Sequence, residues 1–310
     1  YLNSVGSFKA WTMGKGQQGG SAGIVAFPDE TAPSARNLTL EFWLNMQDGI
    51  FYDGNSIATT SGDGATGFAA TVRTNASNGN KPELRLFAKT INNAASIAIF
   101  VPSENYINKW AHVAFVVSEA DNKAYVYLNG EYYAEAPAVG GWYGNNKNTN
   151  LMIGSAWSNP KFYGSLADFR VWSVARTAEE IKDNYNKLIE PQTGLHINYT
   201  FADWNGGTGA ANKIINVANP GTNDLTLSGN NHLRTVLALA PASLSIADQT
   251  LSWTAEEGAW EVNIYKEEDS SLAYTGSVVS KSITLNTLDE LEDKGTYYAK
   301  VRTLNNGFYS

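Results

Sequence analysis

Residues 38–45, "LTLEFWLN", alternate strictly. Leu38, Leu40, Phe42 and Leu44 fall on one side and Thr39, Glu41, Trp43 and Asn45 on the other, the period of a half-buried β-strand. The same alternation returns in "ELRLFA", "SIAIFV" and "AHVAFVVS", with Gly, Asn and Pro between the runs. Within "AYVYLNGEYYAE" two alternating runs meet at Asn129-Gly130, the pair suited to the two positive-φ positions of a type I′ turn, which predicts a tight hairpin. A different period appears in "RTAEEIKDNYNKLIEP". Ile181, Tyr185 and Leu188 recur at i, i+4 and i+7, Thr177 and Glu180 stand in capping-box register, and Pro191 is a stop. One helix is predicted there, packed by one face onto the strands. A succession of strands with a single late helix predicts sheet-on-sheet packing rather than βαβ units.

Beyond the helix, "GLHINYTF" reads as a strand, "ADWNGGTGAANK" as a loop and "DLTLSG" as a further strand. Residues 236–242, "VLALAPA", break the pattern at Pro241 and are expected to form a linker or the first strand of a new unit. From there, "SLSIADQTLSWT", "WEVNIYKEE", "SITLNTL" and "GTYYAKVRTLN" alternate in turn and predict a small second sandwich over 242–310.

Composition adds a setting. With 310 residues and 43% hydrophobic content the chain can fill one large and one small core. Only 17% of residues are charged while aromatics reach 12%, a profile of secreted all-β proteins. The 22 Lys and Arg stand against 30 Asp and Glu, a net charge of −8, which makes nucleic acid and anionic lipid poor partners. No apolar run is long enough to cross a membrane, and "YLNSVGSFKAW" lacks the basic and apolar regions of a leader, which is expected to have been trimmed. The absence of cysteine rules out disulfides, thiolate metal sites and cysteine nucleophiles. With the exported composition it points to an extracellular protein or one on a bacterial cell surface.

Four segments line up in order with one family: "NLTLEFWLN", "KWAHVAFVV", "AYVYLNGEYY" and "FYGSLADFRVWSVARTAEEIKDNY". They resemble the laminin-G-like, concanavalin A-like jelly rolls of bacterial surface proteins. In that family a Trp-x-His strand (here Trp110 and His112) leads to an Asn-Gly hairpin, and a late strand with Asp and Arg (here Asp168 and Arg170) leads to a Glu-Ile helix. Ala167 stands where the family carries a first Asp. The segment "NYTFADWNGG…NPGTNDLTLSG" resembles one that precedes the jelly roll in related domains. Residues 195–235 are therefore expected to be a permuted part of the same sandwich, giving one domain over 1–235. The stretch 242–310 resembles a fibronectin type III domain, with Trp253 on its second strand and Tyr297 as the corner tyrosine.

Glycoside hydrolysis needs two opposed carboxylates. Glu119 and Asp121 lie in a turn without a third acid and Glu41 has no partner on its strand, so no catalysis is expected. His112, His196 and His232 are scattered and fit neither a transition-metal site nor a histidine base, and His112 reads as a packed structural residue. The resemblance implies calcium held by loop oxygens. Asp53 and Asn55 in "FYDGNS" and Asp63 in "SGDG" are the candidate ligands, although turn formation explains both stretches equally well. Sugar binding by such folds uses flat aromatic rings flanked by Asn, Asp and Lys. Among the aromatics, Tyr52, Trp142, Tyr143, Trp157 and Trp204 fall in Gly- and Asn-rich loops, with Asn145, Asn146 and Lys147 alongside as hydroxyl partners. The sequence therefore predicts a monomeric, non-catalytic module that binds an oligo- or polysaccharide through these loops. The alternatives are an adhesive or structural surface module with a protein ligand, or a glycoside hydrolase.

Overall fold

The computed structural model describes residues 8–13, 20–24, 36–46, 55–60, 67–75, 79, 81–89, 96–142, 150–154, 162, 164–201, 213–227, 233–237, 242–254, 260–291 and 296–303. The chain divides into two compact units, Lys9–Thr235 and Val236–Ser310, the latter grouped with Tyr1–Phe8.

The large unit contains β1 (Phe8–Met13), β2 (Gly20–Ile24), β3 (Leu38–Met46), β4 (Asn55–Thr59), β5 (Phe68–Asn75) and β6 (Lys81–Lys89). They are followed by β7 (Ser96–Pro102), β8 (Ala111–Ser118), β9 (Lys123–Leu128), β10 (Glu131–Pro137), β11 (Asn150–Ile153) and β12 (Gly164–Trp172). After the helix α1 (Ala178–Asn184) come β13 (Leu195–Tyr199), β14 (Lys213–Ile214), β15 (Leu225–Leu227) and β16 (Leu233–Leu237). One sheet runs β10-β9-β8-β3-β12-β1-β16 with β13 also paired to β12, and the other runs β14-β15-β2-β11-β4-β5-β6-β7. The inward sides of both are apolar: Leu38, Leu40, Phe42 and Leu44 from the first sheet, and Phe68, Ala70, Val72, Leu84, Leu86 and Ala88 from the second, share one core. The structure is thus an all-β sandwich of the concanavalin A-like kind.

The hairpin at residues 129–130 has φ of 51° at Asn129 and 82° at Gly130, the left-handed pair that a type I′ turn needs. Strands β13 and β15 are part of the sandwich, because β13 pairs with β12 and β15 with β2. Phe201 beyond β13 is buried and stacks on Trp11 with centroids 6.2 Å apart. Of the stretch 236–242, only Val236, Leu237 and Ala242 lie among the described residues, and the first two close strand Leu233–Leu237. That strand lies beside β1.

The helix begins with both halves of a capping box: Glu180 N–H donates to Thr177 Oγ1 at 3.1 Å, and Thr177 N–H donates to Glu180 Oε2 at 2.9 Å. Ile181 is buried, but the helix ends at Asn184, so Leu188 lies outside it and is exposed rather than packed. Losing the cap hydroxyl in Thr177→Ala should cost about 1 kcal/mol, seen as a lower midpoint of urea unfolding without a change in m.

The small unit contains β17 (Ala242–Ala247), β18 (Thr250–Thr254), β19 (Trp260–Lys266), β20 (Leu272–Val278), β21 (Ser282–Thr284) and β22 (Tyr297–Thr303). They form two three-stranded sheets, β17-β18-β21 and β20-β19-β22. Between them lies a core of Leu251, Trp253, Trp260, Val262, Ile264 and Val301, with Tyr297 and Ala299 packed at its margin.

Candidate functional site

The most polar interior in the large unit lies on the outer side of the first sheet, against α1. Opposite β3, strand β12 carries an irregularity between Ala167 and Arg170, so that Ala167 faces Trp43 while Arg170 faces Glu41. Asp168 sits in this bulge with φ of 46°. It also marks the changeover on the other edge of β12, where β1 pairs with Gly164–Ala167 and β13 with Phe169–Trp172.

Four charged side chains and His112 meet there, all buried. Arg176 Nη1 donates to Glu41 Oε1 at 2.7 Å, Arg170 Nη1 lies 3.4 Å from Glu41 Oε2, and Arg170 Nη2 donates to Asp168. The guanidiniums also reach backbone carbonyls in and just after the helix: Arg170 contacts those of Asn184 and Lys187, and Arg176 that of Glu180 at 3.0 Å. Trp43 Nε1 donates to the Tyr185 carbonyl at 3.1 Å. Cations placed at a helix C-terminus are favoured by its dipole, so the cluster pins the helix to the sheet. Burial alone would raise the Glu41 carboxyl, but His112, Arg170 and Arg176 outweigh it and hold the group at about 2. Burial pushes Asp168 up to about 6 against the pull of Arg170, and it lowers His112 against the pull of Glu41. His112 Nε2 is 3.5 Å from Glu41 Oε2, and the ring packs between Trp43 and Tyr185. Glu41 is thus saturated by cations and sealed from solvent, a structural role. Glu119 is engaged with Arg36 at 2.9 Å.

The loop aromatics come out differently from expectation. Trp142 is 1% exposed and belongs to the core, where its ring lies 6.1 Å from Phe68 and its Nε1 donates to the Asn37 carbonyl at 3.0 Å. It is a plug and not a displayed ring. The reason is the pair before it: Gly140 and Gly141 have φ of 76° and 74°, and a Cβ on Gly141 would lie 2.4 Å from the Arg36 carbonyl oxygen. Only glycine turns the chain back this closely. Tyr52, Tyr143, Asn145, Asn146, Lys147, Trp157 and Trp204 lie outside the described residues, as do Asp53 and Asp63. Asn55 is described only as the first backbone position of β4. Among the described residues no three His, Asp or Glu side chains gather as metal ligands do.

A second set of chemistry-bearing residues lies on the outer side of the second sheet. Strand β6 sends Leu84, Leu86 and Ala88 into the core, leaving Glu83, Arg85, Phe87 and Lys89 on the opposite face. Register carries a row across four strands: Ser56 faces Thr71, Thr71 faces Arg85, and Arg85 faces Phe100. Directly opposed residues have Cβ atoms about 5 Å apart, so these side chains are neighbours. Phe100 is 43% exposed. The Arg85 guanidinium lies 4.5 Å above the Phe87 ring, with the Lys89 ammonium 5.9 Å from the same ring. Arg73 faces Glu83 one row further along. Ser56 Oγ and Thr71 Oγ1 are buried and have no hydrogen-bond partner among the described residues. Sequence reasoning missed this face, although "ELRLFAK" offered a signal: a phenylalanine flanked at i−2 and i+2 by cations on the side away from the leucines.

Comparison with known proteins places this geometry. The family model described as the concanavalin A-like lectin/glucanases superfamily, a laminin G model, matches residues 18–182. Pappalysin-1 of Mus musculus is 29% identical over 155 residues, 46% of this chain, and the chain spans only 9% of that protein. A proposed carbohydrate-binding protein from Bacteroides ovatus ATCC 8483 has a similar structure, with a TM-score of 0.53 and 22% identity over 74% of this chain and 60% of that one. The SAP-like pentraxin of Limulus polyphemus is also similar, at 16% identity and a TM-score of 0.43, covering 75% of this chain and 96% of that one.

Proposed function

Since the chain belongs to the concanavalin A-like lectin/glucanases superfamily through its laminin G-like domain, we propose that it is a non-catalytic carbohydrate-binding module of an extracellular or bacterial cell-surface protein. The observation that carries this reading is the outward row on the second sheet, where an exposed Phe100 ring stands in register with Arg85. A flat ring offers the apolar face of a pyranose a surface to stack on, while cations take its polar edge. The Bacteroides ovatus protein of similar fold points the same way. In this proposal the small unit is a fibronectin type III-like spacer, and the whole acts as a monomer.

Each aromatic contact of this kind contributes on the order of 1 kcal/mol, so the module is a weak binder whose avidity comes from repetition. A glycan array tests the reading. Phe100→Ala should weaken retention about five-fold and leave Tm unchanged within about a degree, because the ring packs little; retention equal to that of the wild type would remove Phe100 from the site. A second reading, a protein ligand, is favoured by β10, which ends its sheet order and exposes Tyr132 at 57%. Such an edge can add a strand from a partner. Silence on the array, together with binding of a protein ligand that Tyr132→Ala abolishes, would favour that reading.

A further inference from the structure

The whole chain carries a net charge of −8, yet the outer side of the second sheet reverses that sign. Arg73, Arg85 and Lys89 stand on it against Glu83, which faces Arg73 rather than Arg85. Among the described residues Arg85 has no carboxylate partner, and its guanidinium lies over the π-face of Phe87. A half-buried guanidinium left without a counterion is unusual, because a charge withdrawn from water is normally paired. Burial and, behind it, the Arg73 charge already press on its protonated form. Beside it in the same row, Thr71 Oγ1 and Ser56 Oγ are buried without a described partner. The row therefore holds a guanidinium without a counterion among the described residues and, on its far side, an open ring.

From this arrangement, and resting on the carbohydrate reading above, we propose that the site takes an acidic glycan, a sugar whose carboxylate pairs with Arg85 while its ring stacks on Phe100. A guanidinium presents two parallel N–H donors that match a carboxylate. Phe100 is the register partner of Arg85, so the two side chains leave the sheet from neighbouring positions with Cβ atoms about 5 Å apart, within reach of one sugar residue. Lys89 and Arg73 supply a wider positive field that draws the anion to this face. An acidic peptide would answer the field but has no pyranose to set against Phe100.

An array carrying uronate-, sialate- and sulfate-bearing glycans beside neutral ones, with polyglutamate as a control, tests the inference on the full chain. The expected result is binding confined to carboxylate-bearing glycans and weakened by salt. It should fall at least tenfold in Arg85→Gln and several-fold in Phe100→Ala, with an unfolding temperature close to that of the wild type. Arg85→Lys keeps the charge but loses the fork, and should recover only part of the binding. Equal binding of neutral glycans, or undiminished binding in Arg85→Gln, would overturn the acidic specificity and leave the carbohydrate reading standing. Polyglutamate bound as well as any glycan would replace the sugar with an acidic peptide. No glycan bound at all would overturn both readings.

Discussion

Glu41→Gln should destabilise the large unit by roughly 3–5 kcal/mol, the usual result of removing one partner from a buried ionic cluster. The substitution keeps the shape of the side chain but removes the anion, leaving Arg176 with neutral acceptors and the Trp172 ring, 4.5 Å away, as its contacts in this cluster. Most of the cost is the guanidinium charge left buried without an anion. The pH dependence follows from the carboxyl itself. In the fold it titrates at about 2, against an ordinary value of 4.5, so its contribution is complete above about pH 5 and disappears as pH falls towards 2. The shift corresponds to about 3 kcal/mol, in line with the mutational estimate. Asp168 acts in the opposite sense: raised to about 6, it costs stability as pH climbs from about 4 to 6. Unfolding by urea at several pH values separates the two. The gap between wild type and Glu41→Gln should be widest above pH 5 and close at the acid end; a gap that does not vary with pH would deny the Glu41 carboxylate this role.

Trp142→Ala should cost a similar amount, about 3–5 kcal/mol, while leaving ligand retention by the folded protein unchanged. The indole fills a place between Phe68 and the chain at Asn37, and truncation removes both the packing and the hydrogen bond to the Asn37 carbonyl. An unsatisfied buried carbonyl adds to the cavity. Thermal unfolding would show the loss, and affinity electrophoresis below the lowered midpoint would show retention. A Trp142→Ala protein of wild-type stability that no longer binds would return this residue to the ligand site.

The contrast between these residues shows what the chain declares in one dimension. Strand periodicity, the Asn129-Gly130 turn and the Thr177-Glu180 cap are local signals, each contained within a few residues, and each appears in the structure where the pattern puts it. Trp142 is different. A Gly- and Asn-rich run says that the backbone turns, but the direction of the ring depends on Arg36 and Asn37, more than a hundred residues earlier, against which two glycines fold it. The row on the second sheet fails to show for a related reason. The side of Arg85 follows from alternation, whereas its pairing with Phe100 depends on the register of β6 against β7, and register is set by the turn and the packed face together. The buried cluster is intermediate: Asp168 and Arg170 are neighbours in sequence, but Glu41 and Arg176 join them only through the pairing of β3 with β12.

That pairing scheme also sets the order in which the large unit can assemble. Strand β1 pairs with β12 and β2 with β11 and β15, so the first two strands emerge during synthesis long before any partner they have been shown to use. Closure of such distant pairs carries the loop-entropy cost that slows high-contact-order folds, and folding should therefore wait on the last third of the unit. A fragment ending at residue 182, where the family match stops, would still contain the charged cluster, yet it would lack β13 on β12 and β15 on β2. Its open strand edges would invite association with other chains. For any protein that carries this unit in a longer chain, strands β13 and β15 after the helix are therefore structural members of the sandwich and not a linker that can be trimmed.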